Sequence, residues 1–128
     1  MKQLSILLLM GILLLSCGPK KEKESLYPES AATEKQTPEE LGKQIFESTG
    51  NCFACHKPDQ KIVGPSIAEI AKIYKEKGGN IVSFLQDKEA PIVDPSQFSV
   101  MKTNFAITKN MSEEELRALE AYIYSHLK

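Results

Sequence analysis

Apolar side chains recur every three or four positions along much of residues 37–128, which is the spacing of amphipathic helices. No stretch in this part of the chain shows the strict alternation of apolar and polar residues that is typical of a half-buried strand. The pattern therefore predicts an all-α fold with three to five short helices. The predicted helices lie within residues 37–50, 64–79, 80–88 and 111–128.

The ends of these helices carry recognisable capping residues. Thr37 with Glu40, and Ser112 with Glu115, have the spacing of a capping box, in which side chains and backbone N–H groups bond reciprocally. The apolar face of the first helix contains Phe46, and Gly42 beside it leaves room for a neighbouring helix. Residues 90–110 contain two prolines and no clear period, so the pattern predicts a long loop there.

The N-terminal part of the chain has a different pattern. Residues 1–16 contain a short positive start and an apolar run that is too short for a comfortable membrane span, as in a signal peptide. The run ends in "LLSC", which resembles the bacterial lipobox, and this resemblance implies that Cys17 is lipidated. Residues 17–36 are polar and contain two prolines, so we expect a flexible tether between the lipid anchor and a domain at residues 37–128.

Composition limits the function of that domain. The formal net charge of the chain is −1, so no strong basic balance points to nucleic acid. A domain of about 90 residues has a small hydrophobic core, and a cofactor that fills its interior would stabilise it.

The segment "NCFACH" contains Cys52, Cys55 and His56 in the order C-x-x-C-H. A zinc site needs four ligands, and His126 would have to complete it from the far end of the last helix. A thioredoxin-like disulfide expects a preceding strand, whereas here a helix precedes the motif. The third chemistry is covalent attachment of haem c, in which both thiols become thioethers and the histidine ligates iron. The missing fourth zinc ligand and the missing strands favour haem.

The chain from about residue 38 onward resembles a small bacterial class I cytochrome c with a single haem. The resemblance is carried by "LGKQIFESTGNCFACH", "VGPSIAEIAKIY", a late methionine and "MSEEELRALEAYIYSHL". It implies that the first and last helices cross, with Gly42 and Phe46 packed against Tyr122. It also implies that His56 donates a hydrogen bond to the backbone carbonyl of Pro65.

The second iron ligand is less evident from the sequence. Met101, Met111 and His126 are the candidates, and the resemblance places the ligand at Met101, although Lys102 stands where many relatives have proline. Met111 is explained by packing before the N-cap of the last helix. Asn104 is expected to donate a hydrogen bond near the Met101 sulfur.

These features predict a membrane-tethered carrier of single electrons rather than an enzyme, because no nucleophile–base pair is evident. We expect it to be a monomer outside the cytoplasm, lipid-anchored to a bacterial membrane on the periplasmic side or at the cell surface. We also expect it to exchange electrons with respiratory redox proteins and to bind no nucleic acid. The partners would dock near Phe53, Ala54 and the loop around Met101. Two alternatives stay open, namely a fixed subunit of a larger oxidase or dehydrogenase and a haem-based gas sensor.

Overall fold

A computed structural model describes residues 36–128, and the predicted signal peptide, Cys17 and nearly all of the tether lie outside these residues. The described part is helical, and its only pairing of extended backbone is an isolated antiparallel bridge between His56 and Lys61. The all-α prediction is confirmed. The helices are α1 (Pro38–Glu47), α2 (Ile67–Lys77), α3 (Ile81–Leu85), α4 (Phe98–Met101), α5 (Phe105–Thr108) and α6 (Glu113–Tyr124), with single 3-10 turns at Cys52–Ala54, Pro95–Gln97 and Lys102–Asn104.

The N-terminal ends of the longer helices follow from local chemistry. Both predicted capping boxes form, because Thr37 pairs with Glu40 before α1 and Ser112 pairs with Glu115 before α6. At α2, the hydroxyl of Ser66 accepts a hydrogen bond from the backbone N–H of Glu69. Each cap satisfies a backbone donor that would otherwise have no partner in the first turn.

Helices α1 and α6 cross closely and form the main helix pair. A Cβ atom on Gly42 would overlap the backbone carbonyl of Ala118 and lie 2.8 Å from Cβ of Tyr122. Next to this crossing, the rings of Phe46 and Tyr122 pack with their centroids 5.3 Å apart. The predicted helix crossing is confirmed, and its closeness depends on the missing side chain at position 42.

The structure differs from the sequence prediction in residues 90–110. Instead of a long loop, the chain forms the short helices α4 and α5, with one 3-10 turn before α4 and another between the two helices. Packing between aromatic rings holds them, since Phe105 lies with its centroid 5.4 Å from that of Phe84 and 6.0 Å from that of Phe98. The fully buried hydroxyl of Thr108 also donates a 2.6 Å hydrogen bond to the carbonyl of Leu85 at the end of α3. These tertiary contacts stabilise helical turns that are too short to show a periodic sequence signal.

Candidate functional site

A mostly apolar cleft lies beside the core and encloses about 1280 Å³ together with the solvent at its mouth. Core side chains from four helices form its floor, among them Phe46, Ile67, Leu85 and Leu119. The predicted site residues of the described part all line this cleft. They are Cys52, Cys55, His56, Pro65 and Met101.

The C-x-x-C-H motif lies in a tight turn that starts directly after α1. Asn51 adopts a left-handed conformation with φ of 51°, and the single 3-10 turn Cys52–Ala54 follows. The carbonyl of Cys52 accepts hydrogen bonds from the backbone N–H groups of Cys55, at 3.1 Å, and His56, at 3.0 Å. The turn therefore brings both thiols and the imidazole to one region of the cleft wall.

The two thiols are free and partly buried. Burial, with a smaller contribution from the nearby Cys55, raises the pKa of the Cys52 thiol to about 11. A reactive redox cysteine has the opposite property, because its thiolate must be populated near neutral pH. Within residues 36–128, no three His, Cys, Asp or Glu side chains cluster in a way that could hold a metal ion. The local chemistry thus favours neither a redox disulfide nor a zinc site.

The adjacent residues Gly64 and Pro65 fix the position of the His56 imidazole. Its Nδ1 lies 2.8 Å from the carbonyl oxygen of Pro65, which is the pair that the resemblance joins. Because a carbonyl can only accept, Nδ1 carries the proton and the lone pair lies on Nε2, which is left for a metal. A Cβ atom at Gly64 would lie 2.8 Å from Nδ1 and 3.0 Å from Nε2, so only glycine allows the ring to take this position.

The loop that carries this carbonyl is itself tied to its surroundings. The backbone N–H of Gly64 donates to the carbonyl of Cys55 at 2.8 Å. At the start of α2, the N–H of Ile67 donates to the carbonyl of Lys57 at 2.9 Å. These bonds position Pro65 against the histidine. The proximity of Gly64 to an imidazole eight residues earlier has no local sequence signal.

Of the three candidates for the second iron ligand, Met101 alone lines the cleft in the described part of the chain. It is the last residue of α4 and is partly buried against the core. Met111 packs against the core elsewhere, and Nδ1 of His126 lies 2.9 Å from the carbonyl oxygen of Tyr122. Ligation by Met101 remains a prediction. The position of Met101 in the cleft is compatible with it, whereas Met111 and His126 do not line the cleft.

Asn104 does not bond where the sequence suggested. Its amide donates a 3.1 Å hydrogen bond to the backbone carbonyl of Gly50, which lies before the motif and 54 positions away in the chain. The prediction concerned the Met101 sulfur, whereas the bond that forms joins the segment after Met101 to the segment before Cys52. A contact between residues so distant in sequence is invisible to pattern analysis.

The donor groups in the cleft fit haem c. Two thiols can each form a thioether, one imidazole has a free Nε2, and one methionine thioether lies in the same apolar space. The apolar side chains around them, such as Ile81 and Phe84, suit a large planar ring system. These residues would hold the haem through Cys52 and Cys55, with His56 as the iron ligand nearest in sequence.

Comparison with known proteins agrees with this chemistry. The model of a family described as "Cytochrome c" matches residues 39–126, a range that contains all five of these site residues. No curated protein matches the chain. Within residues 36–128, no helix is both long enough and apolar enough to span a bilayer.

Proposed function

The chain belongs to the cytochrome c family of haem-dependent electron-transfer proteins, and on this premise we propose that it is a membrane-tethered carrier of single electrons between extracytoplasmic redox proteins. The observation that supports this proposal most strongly is the apolar cleft that contains Cys52, Cys55, His56 and Met101 together. Haem c, when bound, supplies an iron that accepts and releases one electron.

The protein's own residues determine how that iron behaves. The bond from Nδ1 of His56 to Pro65 fixes the orientation of the imidazole and makes Nε2 a better donor. A thioether as the second ligand and an apolar surrounding both favour the ferrous state, which raises the reduction potential. If His56 and Met101 both bind the iron, they would leave no open ligand position for a substrate, which favours a carrier over an enzyme.

Optical spectra of the haem-loaded protein test this proposal. A carrier with methionine ligation shows a c-type spectrum, a ferric methionine–iron charge-transfer band and no binding of CO. The variant Met101→Ala should lose the band and have a lower potential, while Met111→Ala, the matched control, should keep both. If Met111→Ala loses the band instead, the ligand assignment is wrong. Ready CO binding by the native ferrous protein would favour the gas sensor.

A surface for redox partners is proposed at the mouth of the cleft. Val63 and Val100 line the cleft and are 50% and 45% exposed, and Phe53, between the two cysteines, is 43% exposed. Apolar side chains in such a position suit the small, transient contacts of electron-transfer proteins. Here a partner would approach the edge of the haem.

The rate of electron self-exchange between two copies of the protein tests whether this surface is the docking site, and the test requires no known partner. Val100→Lys places like charges in the contact and should slow self-exchange about tenfold or more at low salt. Leu127→Lys is the control, because Leu127 is similarly exposed, at 39%, and does not line the cleft. Equal rates for the two variants would contradict the assignment of the surface.

Membrane attachment is proposed from the resemblance of "LLSC" to a lipobox, and Cys17 lies outside the described residues. Several acyl chains on one residue give stable anchoring where a single chain is marginal. The variant Cys17→Ala should move the protein from the membrane fraction to the soluble fraction, and continued retention would refute the anchor. Stoichiometric co-purification with a respiratory complex would favour the fixed-subunit alternative over a free carrier.

A further inference from the structure

Two segments that line the cleft are joined to each other at both of their ends. We call residues 50–61 the motif loop, because they contain the C-x-x-C-H sequence, and residues 94–104 the Met101 segment. Nζ of Lys61 lies 2.9 Å from Oδ2 of Asp94, and Nδ2 of Asn104 lies 3.1 Å from the carbonyl oxygen of Gly50. The two contacts connect the first residue of each segment to the last residue of the other, with the motif and Met101 between them.

The ion pair is built into its surroundings on both sides. The backbone of Lys61 forms the antiparallel bridge with His56, so the lysine is anchored to the proposed iron ligand's own backbone. Asp94 lines the cleft, its side chain is only 19% exposed, and its other carboxylate oxygen accepts a 2.5 Å hydrogen bond from Ser96. Both partners are thus oriented by further contacts, which distinguishes this pair from a free surface ion pair.

The second contact gains importance once the haem is attached. In the structure the carbonyl of Gly50 has two side-chain neighbours, the amide of Asn104 at 3.1 Å and the thiol of Cys52 at 3.4 Å. A thioether at Cys52 has no S–H, so Asn104 would be the remaining side-chain donor to this carbonyl. Gly50 is buried and Asn104 partly buried, so an unpaired carbonyl there would be costly.

Between its two ends the Met101 segment consists of short helical turns. Pro95–Gln97, α4 and Lys102–Asn104 follow one another, and Val100 in their middle is exposed. Turns of this length are not stable by themselves. The position of Met101 therefore depends on what holds the segment at residues 94 and 104, together with the packing of Phe98 on its neighbours.

We propose that Lys61, Asp94 and Asn104 are positioning residues whose two cross-cleft contacts keep the Met101 segment closed, and that they set how readily an external ligand replaces Met101. This inference rests on the proposed function, since it takes Met101 to be the second iron ligand. Opening the segment at either end allows Met101 to leave while the helical core stays folded.

Imidazole binding to the ferric, haem-loaded protein measures this opening directly. Asp94→Asn removes the ion pair but keeps the shape of the side chain, and Asn104→Ala removes the other contact. Each variant should bind imidazole about fivefold more tightly than the wild type, and the double variant more tightly than either. In the wild type, raising the salt concentration should increase the imidazole affinity, whereas in Asp94→Asn it should have little effect.

Asp59→Asn is the matched control. Asp59 lies in the same motif loop and forms an ion pair of the same length, 2.9 Å, with Lys128. Both members of this pair are well exposed, and neither lines the cleft. Its imidazole affinity should stay within about twofold of the wild type. If Asp94→Asn does not fold, Lys61→Gln removes the same pair from its exposed side. If Asp59→Asn increases the imidazole affinity as much as Asp94→Asn does, the proposal is overturned, because removing any surface charge would then have the same effect.

Amide hydrogen exchange gives an independent readout. In Asp94→Asn and Asn104→Ala, amides of residues 94–104 should exchange faster, while those in α1 and α6 keep the wild-type rate. Faster exchange throughout the domain would indicate a general loss of stability and overturn the positioning role, as would unchanged imidazole affinity in both variants. Failure of the proposed function is seen separately, since the wild type would then lack the methionine–iron band.

Discussion

The variant Gly64→Ala tests how closely the fold is fitted to the His56 imidazole. The added Cβ would lie 2.8 Å from Nδ1 and 3.0 Å from Nε2, whereas atoms in favourable contact are about 3.5–4.0 Å apart. The ring cannot move away without lengthening the 2.8 Å bond between Nδ1 and Pro65. The backbone at position 64 cannot move without breaking its 2.8 Å hydrogen bond to Cys55. Either displacement changes the geometry of the proposed iron ligand.

The magnitude follows from these contacts. Overpacking a fitted site costs about 1–3 kcal/mol, and losing one hydrogen bond of this kind costs about 0.5–1.5 kcal/mol. We therefore expect the free energy of unfolding of the haem-loaded protein to fall by about 2–4 kcal/mol. Guanidinium unfolding followed by haem absorbance measures it, and a shifted reduction potential should accompany the loss.

A substitution at a second glycine, Gly78, serves as a control. It distinguishes the effect of the contact with the His56 imidazole from the general loss of stability on replacing a glycine. At Gly78 a Cβ would meet nothing within 4 Å, but the φ of 64° disfavours other residues. Gly78→Ala should lower the free energy of unfolding by about 1–2 kcal/mol without changing the potential or the spectrum. The reasoning is refuted if Gly64→Ala keeps the wild-type potential and unfolds within about 0.5 kcal/mol of the wild type.

Two further predictions concern contacts that hold the Met101 side of the domain. Thr108→Val leaves the carbonyl of Leu85 without its buried donor and should lower the free energy of unfolding by about 1–3 kcal/mol in a denaturant titration. Thr108→Ser keeps the donor and is the control. An equal loss of stability in both variants would show that the hydroxyl is not responsible. The hydrogen bond from Lys109 holds the pKa of the Asp87 carboxyl below its usual value, so this group stabilises the fold above the pKa of the unfolded chain, about 4. The stabilisation disappears as the pH falls through the lower pKa of the folded state. The denaturant midpoint should therefore fall less steeply with decreasing pH for Asp87→Asn than for the wild type. Parallel plots of midpoint against pH for the two proteins would contradict the assignment.

The helices that could be predicted are those whose signals are local. The capping boxes at Thr37 and Ser112 act over three residues, and an apolar face such as that of α6 repeats over several turns. Residues 90–110 have neither signal. Their helices form because Phe98 and Phe105 pack on a ring that belongs to α3, so the neighbour that stabilises them is absent from any short window of sequence.

By itself the sequence determined the chemistry of the site and the helices around it. The spacing of Cys52, Cys55 and His56 within five residues indicates haem attachment once the missing fourth zinc ligand and the missing strands are added to it, and all three residues lie in or next to one tight turn. Only the tertiary structure decided which other residues reach that turn: Gly64 against the imidazole, Met101 in the cleft, and Asn104 on the carbonyl of Gly50. Local bonds form between residues that are neighbours in any conformation, whereas these contacts exist only after α1 and α6 have crossed and the core has brought distant segments together.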